Sequence, residues 1–182
     1  MIEQIRKCQK CGLCFNQEPL LDVEKKCQIF WVGLSAKKVM SDIELPLSPE
    51  TNTGMIIHKI EERCEEVITY KTNLVKCLPL TEQKKLRYPN KSEIDCCFEH
   101  LLSEIHAMSP KIVFLLGEKV YSTVAKKMSI EFEKWNDFEY HYERIEGINF
   151  VPIHHPSYIH VYKRKNMQDY IEGVEKIISQ LL

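Results

Sequence analysis

The feature that most constrains the fold is a pair of short apolar runs, each closed by a glycine. Residues 28–33 read Gln-Ile-Phe-Trp-Val-Gly, and residues 111–117 read Lys-Ile-Val-Phe-Leu-Leu-Gly. Runs of this length without polar alternation are typical of central strands that are covered on both faces. Residues 69–75 and 148–153 are two further strand candidates. We therefore predict an α/β domain with a central, largely parallel, four-stranded sheet.

Amphipathic stretches lie between and after these strands. Apolar residues recur at helical spacing over residues 56–67, 94–108 and 166–182, and Ser92 is the expected N-cap of the second helix. Residues 138–144 alternate aromatic and polar side chains, which predicts an edge strand. Helices that alternate with strands are typical of a three-layer α/β/α domain.

The topology also predicts where function lies. In an open α/β sheet, ligands bind beyond the carboxyl ends of the strands. These ends fall after Gly33, around Asn73, after Gly117 and after Ile153. Residues 78–90 contain prolines and basic residues and predict a surface loop.

Length and charge limit the class of protein. A chain of 182 residues has room for one domain, which we place at residues 1–182. It holds no apolar run of the roughly 18 residues that a membrane span needs and does not open like a signal peptide. We therefore expect a cytoplasmic monomer without a membrane partner. The net charge of -1 means that any contact with DNA must be local.

Eight cysteines are unusual in a reducing compartment and indicate a metal site. Cys8 and Cys11 form a C-x-x-C pair, followed by Cys14. Cys77 ends a strand candidate and Cys97 lies on the next helix, so both could converge on that pair. Four thiolates favour either an iron–sulfur cluster or zinc. The remaining thiols are expected to be small buried side chains: Cys27, Cys64 and Cys96.

Taken in order along nearly the whole chain, the motifs resemble those of the iron–sulfur uracil-DNA glycosylases, often called family 4. The matching segments are Cys8-x-x-Cys11-x-Leu13, Val32-Gly33, Thr72-Asn73-Leu74-Val75-Lys76-Cys77-Leu78-Pro79, Arg87-Tyr88-Pro89, Glu93-Ile94-x-x-Cys97, residues 110–117 and His155-Pro156-Ser157-Tyr158. This resemblance implies a DNA glycosylase that removes uracil or a modified pyrimidine. It also implies a structural 4Fe-4S cluster held by Cys8, Cys11, Cys77 and Cys97, with zinc as the alternative.

Two residues in these motifs suit the chemistry of base excision. The Asn73 amide offers a donor beside an acceptor, which complements the O4 and N3–H edge of uracil. His155 is the candidate donor to the base O2, where negative charge develops as the glycosidic bond breaks. The neighbouring His154 is a rival, but the register of the H-P-S-Y motif favours His155.

A basic, aromatic edge follows the same motif and is the expected DNA contact. Ser157 and Tyr158 are candidates for the phosphates that flank the flipped nucleotide. Lys163, Arg164 and Lys165 extend this edge. We expect Gly33, Leu34 and Leu47 to form the opposite wall of the pocket.

That wall departs from the family pattern. Leu34 occupies the family's acidic position, and Leu47 follows Pro46 where the family has a proline–aromatic pair. Asp42, or else Glu44, is the candidate for the missing carboxylate. We therefore expect weak activity on plain uracil, with either better activity on a bulkier or activated pyrimidine or none.

Three interpretations follow from these motifs. The first is an active DNA glycosylase, and the second is a DNA-binding member of the same fold that has lost catalysis with Leu34. The third is a small zinc-bound α/β protein that acts on nucleotides.

Overall fold

The centre of the computed structural model, which describes residues 1–39, 44–64, 66–133 and 135–182, is a five-stranded sheet. The strands are β1 (Ile29–Ser35), β2 (Thr69–Val75), β3 (Ile112–Leu116), β4 (Glu143–Ile145) and β5 (Ile148–Ile153). Their order across the sheet is β2-β1-β3-β5-β4, and every pair is parallel except β4 with β5. The four predicted strands are confirmed.

The fifth strand corrects the predicted strand count and the position of the edge strand. Residues 138–144 were the predicted edge strand, but pairing begins only at Glu143 and runs antiparallel to β5. A two-residue turn explains this position. Glu146 and Gly147 both have positive φ, at 50° and 85°, and Ile145 pairs with Ile148 on either side of them. Such a turn fixes the register of the hairpin from its closed end.

Helices cover both faces of the sheet, as predicted for three layers. The α-helices are α1 (Ile2–Arg6), α2 (Asn52–Glu61), α3 (Lys91–Met108), α4 (Glu118–Met128), α5 (Pro156–Tyr162) and α6 (Met167–Leu181). Strand residues alternate between two cores: Trp31 and Phe114 pack with α2, α5 and α6, whereas Phe30 and Val113 pack with α3 and α4. Helices α1, α4 and α5 were not predicted from the sequence.

Two helix boundaries differ from those expected. Helix α2 begins at Asn52, because the Thr51 side chain accepts a hydrogen bond from the Gly54 N–H. It ends at Glu61, although the apolar pattern continues to residue 67. The N-cap of α3 is Asn90 rather than Ser92. Asn90 and Glu93 form a reciprocal capping box, which satisfies two backbone donors at once.

None of the helices in the described part of the chain combines the length and apolar character needed to cross a bilayer.

Candidate functional site

Five of the predicted site residues line one pocket at the carboxyl ends of the parallel strands. They are Gly33 and Leu34 on β1, Asn73 on β2, Leu47 in the β1–α2 connection, and His155 directly after β5. The pocket holds about 710 Å³ with its open mouth included. The other lining residues, which the motif analysis did not single out, are Leu20, Ser35, Lys37, Thr51 and Thr53.

Glycines at two strand ends let the polar side chains reach this pocket. A Cβ on Gly33 would lie 2.4 Å from Asn73 Oδ1, so the bare glycine leaves room for the amide. Gly33 and Asn73 are direct partners in the parallel β1–β2 register. A Cβ on Gly117, whose φ is +84°, would lie 2.9 Å from the His155 Cβ. Both glycines are therefore needed for the site, and the positive φ of Gly117 is a second reason for glycine at that position.

Asn73 is buried in the pocket wall, with only 3% of its surface exposed. Its backbone carbonyl accepts a hydrogen bond from Lys76 Nζ at 2.6 Å. Within the described part of the chain, its side-chain amide has no hydrogen-bond partner in the protein. A buried amide normally has partners, so this group is available to a polar ligand in the pocket.

His155 is held in a defined tautomer at the start of α5. Its Nδ1 accepts a hydrogen bond from the Ser157 backbone N–H at 3.3 Å and lies 2.8 Å from Ser157 Oγ. Because a backbone N–H can only donate, Nδ1 carries no proton. The proton of the neutral ring is therefore on Nε2, which is left as a donor. Burial lowers the pKa of His155, which keeps the ring neutral near pH 7.

The rival histidine faces a different environment. His154 does not line the pocket in the described structure, and its Nδ1 lies 3.0 Å from the Tyr140 hydroxyl. Its ring also contacts Trp135 and Phe138, and burial lowers its pKa. The geometry therefore favours His155 over His154 as the pocket residue.

These two partly buried histidines give an expected pH dependence of stability. Both have folded-state pKa values below the ordinary value near 6.5, so the unfolded chain binds more protons than the native protein below that pH. We expect the free energy of unfolding, measured with urea, to fall as the pH is lowered from 7.5 to 5.5. His155→Gln should reduce this slope, whereas replacing the exposed His106 should not. Equal stability at both pH values would contradict the assignment.

The predicted DNA-contacting residues lie beside the pocket on α5 and the turn after it. The Tyr158 ring lies 6.3 Å from the His154 ring and 5.4 Å from the ring of Tyr162, which is 75% exposed. Lys163 Nζ lies 5.9 Å from the Phe138 ring centre. Arg164 and Lys165, in a 3₁₀ turn, line a separate groove with Lys59 and Arg63. Of the predicted DNA-contacting residues, Ser157 contacts the pocket residue His155, and none is among the described residues that line the pocket.

The candidate carboxylates are not among the described lining residues of the pocket. Asp42 lies outside the residues that the structure describes. Glu44 forms an ion pair with Lys37 and lines the neighbouring groove. Leu47, on the pocket wall, has a positive φ of 53°, which is uncommon for a side chain other than glycine or asparagine.

The four predicted metal ligands line a second cavity on the α3 side of the sheet. Cys8 and Cys11 come from the N-terminal segment, Cys77 follows β2, and Cys97 lies on α3. Two further thiols line this cavity, those of Cys14 and Cys96, and neither was predicted to lie here. Cys14 lies three residues after Cys11, and this C-x-x-C-x-x-C spacing was the sequence signal for its position.

The cysteine cavity suits a metal centre in its chemistry, because it brings several thiols together. Burial raises the pKa of Cys77 to about 12, and it also raises the pKa values of Cys97 and Cys11. A bound cation would reverse this effect by stabilising the thiolates. In the described part of the chain, no three Cys, His, Asp or Glu side chains are arranged to hold a single metal ion.

Lys76 and Glu104 form a buried ion pair that was not predicted from the sequence. Lys76, which was named there only as part of the Thr72–Pro79 motif, lines the cysteine cavity and contacts Asn73 of the pocket. Glu104 lies three residues after Leu101 and four before Met108, on the apolar face of α3. A charged residue at that position was the available signal.

The chain is similar in sequence to a known protein family and to several of its members. The family model described as "Uracil DNA glycosylase superfamily" matches residues 12–178. The chain is 29% identical over 171 residues to a type-4 uracil-DNA glycosylase of Saccharolobus solfataricus, covering 85% of this chain and 73% of that protein. It is 26% identical over 163 residues to the type-4 enzyme of Thermotoga maritima, covering 86% of this chain and 80% of the relative.

A solved structure shares the fold. The crystal structure of SMUG2 from Pedobacter heparinus superposes with a TM-score of 0.54 at 14% identity. The match covers 86% of this chain and 76% of the SMUG2 chain. At this identity the likeness concerns the fold alone.

Proposed function

Because the chain belongs to the uracil-DNA glycosylase superfamily, we propose that it is a DNA glycosylase that flips uracil or a modified pyrimidine out of DNA and hydrolyses its N-glycosidic bond. The observation that carries the proposal is the meeting of Asn73 and His155 in one pocket. They come from β2 and from the end of β5, which lie on opposite sides of the centre of the sheet. Type-4 uracil-DNA glycosylases among the relatives support DNA as the substrate.

Asn73 is the residue that reads the base. Its amide NH₂ would donate to the base O4, and its Oδ1 would accept the N3–H. Asn73 has little exposed surface, so a base that fills the pocket would leave little access for water to compete for these bonds. Because the amide has no protein partner within the described structure, no internal bond has to break on binding.

His155 is the residue that stabilises the leaving base. As the bond to C1′ breaks, its electron pair moves to the base, and negative charge develops on O2. The Nε2–H of a neutral imidazole can donate to that oxygen while Ser157 holds Nδ1. A preorganised donor of this kind acts mainly on the transition state. Water then adds to C1′ of the sugar, and its proton is released.

The wall formed by Leu34 and Leu47 sets the expected substrate range. Among the described residues that line the pocket, none is Asp or Glu, so a carboxylate to orient water is not supplied from there. The leucines also replace stacking on an aromatic side chain, which is worth roughly 1 to 3 kcal/mol per base. We therefore propose slow excision of plain uracil and a preference for a larger or chemically activated pyrimidine.

A panel of single-stranded and duplex oligonucleotides tests this function. The panel carries uracil, 5-substituted uracils or modified cytosines, and alkali cleavage reveals abasic sites. Excision of any of these bases supports the proposal, and faster excision by Leu34→Glu supports the role of the missing acid. Excision of uracil at the rate of an ordinary family member, unchanged by Leu34→Glu, would show that another carboxylate acts there, with Asp42 the first candidate.

The same leucines favour a second candidate function, a DNA-binding protein that keeps the fold without catalysis. Leu34 stands where the family has its acid, so the loss of hydrolysis is a direct consequence under this alternative. Retained binding of oligonucleotides with no cleavage of any base in the panel would favour it.

The edge formed by Lys163, Arg164 and Lys165 is proposed to contact DNA phosphates. Changing all three to alanine should weaken DNA binding without abolishing excision at saturating DNA. The slope of log affinity against log salt should fall by roughly 2, because each phosphate contact contributes about 0.7 to 0.9. Fluorescence anisotropy at several salt concentrations measures this slope.

A matched control removes two lysines and one arginine from the other end of the sheet, where the parallel strands begin. Lys26 and Lys111 precede β1 and β3, and Arg144 pairs with Asn149 near the start of β5. Alanine at these three exposed positions should leave the slope unchanged. An unchanged slope in the Lys163, Arg164 and Lys165 variant would remove that edge from the interface.

We also propose that Cys8, Cys11, Cys77 and Cys97 hold a 4Fe-4S cluster. Four cysteine thiolates are typical ligands of either an iron–sulfur cluster or zinc, so zinc remains the alternative metal. When bound, the cluster would serve as a structural crosslink. The cysteines would thereby join the N-terminal segment, the end of β2 and α3, and fix residues 78–90 between them.

A cytoplasmic location and a monomeric state complete the proposal. A reducing compartment keeps cysteines out of disulfides, which leaves them able to ligate the proposed cluster. Size-exclusion chromatography with light scattering would test the oligomeric state.

A further inference from the structure

A buried ion pair connects the strand that carries Asn73 with helix α3. Lys76 Nζ lies 2.6 Å from Glu104 Oε2, and the two side chains are 1% and 0% exposed. The Glu104 carboxylate also accepts hydrogen bonds from the Tyr70 hydroxyl at 3.0 Å and the Thr72 hydroxyl at 3.1 Å. Removing two charges from water is costly, and a buried pair is weak evidence of added stability. Its contacts therefore point to another role.

Lys76 touches the two sites that the function requires. Its ammonium donates to the Asn73 backbone carbonyl at 2.6 Å. Its own backbone N–H donates to Cys97 Sγ at 3.4 Å. One residue thus contacts Glu104, the peptide of the base-reading asparagine and a cysteine of the second cavity.

We propose that Lys76, oriented by Glu104, is a positioning residue that fixes the Asn73 peptide and thereby the amide that reads the base. This inference rests on the proposed function, since it explains how Asn73 is held in position in the same pocket. Neither Lys76 nor Glu104 is among the described residues that line the pocket, so they act through Asn73.

The position of β2 in the sheet explains the need for this tether. β2 is the edge strand of the described sheet and pairs only with β1 there. The end of an edge strand has fewer partners to resist twisting than the end of a central strand. A misplacement of about 1 Å can cost roughly 10² in rate. The Lys76 ammonium holds the Asn73 carbonyl from the side of α3, where low exposure strengthens the bond.

Neutral substitution of the whole pair tests the proposal without leaving a lone buried charge. The variant combines Lys76→Met with Glu104→Gln, in which the glutamine can still accept from Tyr70 and Thr72. In single-turnover assays we expect excision to slow at least tenfold. Selectivity for the preferred base over thymine and cytosine should also fall, as we expect for Asn73→Ala.

A second ion pair on the same strand supplies the control. Lys71 Nζ lies 2.7 Å from Glu61 Oε2, and neither residue bonds to Asn73. Lys71→Met with Glu61→Gln removes a similar pair and should change the rate less than twofold. If both pairs slow excision equally, the effect is a general loss of strand stability and the proposal fails.

A double-mutant cycle separates positioning from an independent structural role. Adding Asn73→Ala to the Lys76 and Glu104 variant should cause little further loss, because the pair acts only through Asn73. If the two losses multiply, Lys76 does not act through Asn73 and the proposal is overturned. The iron content should stay unchanged, since Lys76 reaches Cys97 through its backbone.

Amide hydrogen exchange keeps the inference testable if the proposed function fails. Should the wild-type protein excise no base, the glycosylase proposal falls, but the tether can still be measured. The amides of residues 73–75 should exchange at least tenfold faster in the Lys76 and Glu104 variant than in wild type. The amides of residues 113–115 in β3 should not change. Equal exchange at residues 73–75 would refute the tether itself.

Discussion

Replacing His155 with alanine is expected to slow base excision by about 10² to 10³, and replacing Asn73 with alanine should slow it at least tenfold. Removing one preorganised donor to a developing anion typically costs roughly this factor of 10² to 10³. His155 supplies such a donor because Ser157 fixes the opposite ring nitrogen. Single-turnover rates with the best oligonucleotide of the panel would measure both effects.

The loss of activity should affect different kinetic parameters in the Asn73 and His155 variants. Asn73 binds the base before and during bond cleavage, so part of its loss appears as weaker binding. The bond from His155 strengthens only as charge develops, so its loss should appear in the maximal rate. We therefore expect saturating enzyme to restore more activity in Asn73→Ala than in His155→Ala.

His154→Phe is the matched control, because it alters the adjacent histidine and keeps an aromatic ring among Trp135, Phe138 and Tyr158. Its excision rate should stay within a few-fold of wild type. A wild-type rate for His155→Ala, or a collapse of the rate only in His154→Phe, would show that the donor has been assigned to the wrong histidine.

Replacing Cys77 with serine is expected to cost most or all of the bound iron and to lower the yield of folded protein. Cys77 is buried between the end of β2 and α3, and its thiol lies in the same cavity as three other proposed ligands. A metal that binds only the folded state contributes its binding energy to folding. Iron analysis and the visible spectrum after anaerobic purification measure the loss.

Substitution of the other thiols gives the controls for the ligand set. Cys27 is buried in the core on the α3 and α4 side, so Cys27→Ser should keep its iron. Cys14→Ser and Cys96→Ser change thiols that line the same cavity but are not proposed ligands, and they should also keep it. A colourless, iron-free wild-type protein would refute the cluster, and stoichiometric zinc would favour the alternative metal.

The amino-acid sequence was sufficient to predict the layers of the fold and five of the residues that line the pocket. Apolar runs of strand length cannot stay exposed, and their lack of alternation requires cover on both faces, which is what Trp31 and Phe30 receive. The carboxyl ends of parallel strands meet at one edge. Strand prediction therefore brought the ends of β1, β2 and β5 together, and the family resemblance selected Asn73 and His155 at two of those ends.

Local backbone chemistry decided where the elements begin and end. The turn at Glu146 and Gly147 placed the edge strand at Glu143–Ile145, and Asn90 rather than Ser92 capped α3. These outcomes depend on dihedral angles and on competing hydrogen bonds between near neighbours. Periodicity over a window of residues does not resolve them.

Contacts between residues far apart in the sequence became evident only in the folded structure. Glu104 lies 28 positions after Lys76, and nothing in the spacing of the two requires that they meet in the core. The tautomer of His155 depends on the backbone N–H of Ser157, which is aimed at the ring by the first turn of α5. Cys14 joined the cysteine cavity because the short turn at Leu13–Phe15 returns the chain toward Cys77. Such contacts depend on side-chain direction and burial in the folded protein, and these are set by packing among all the elements together.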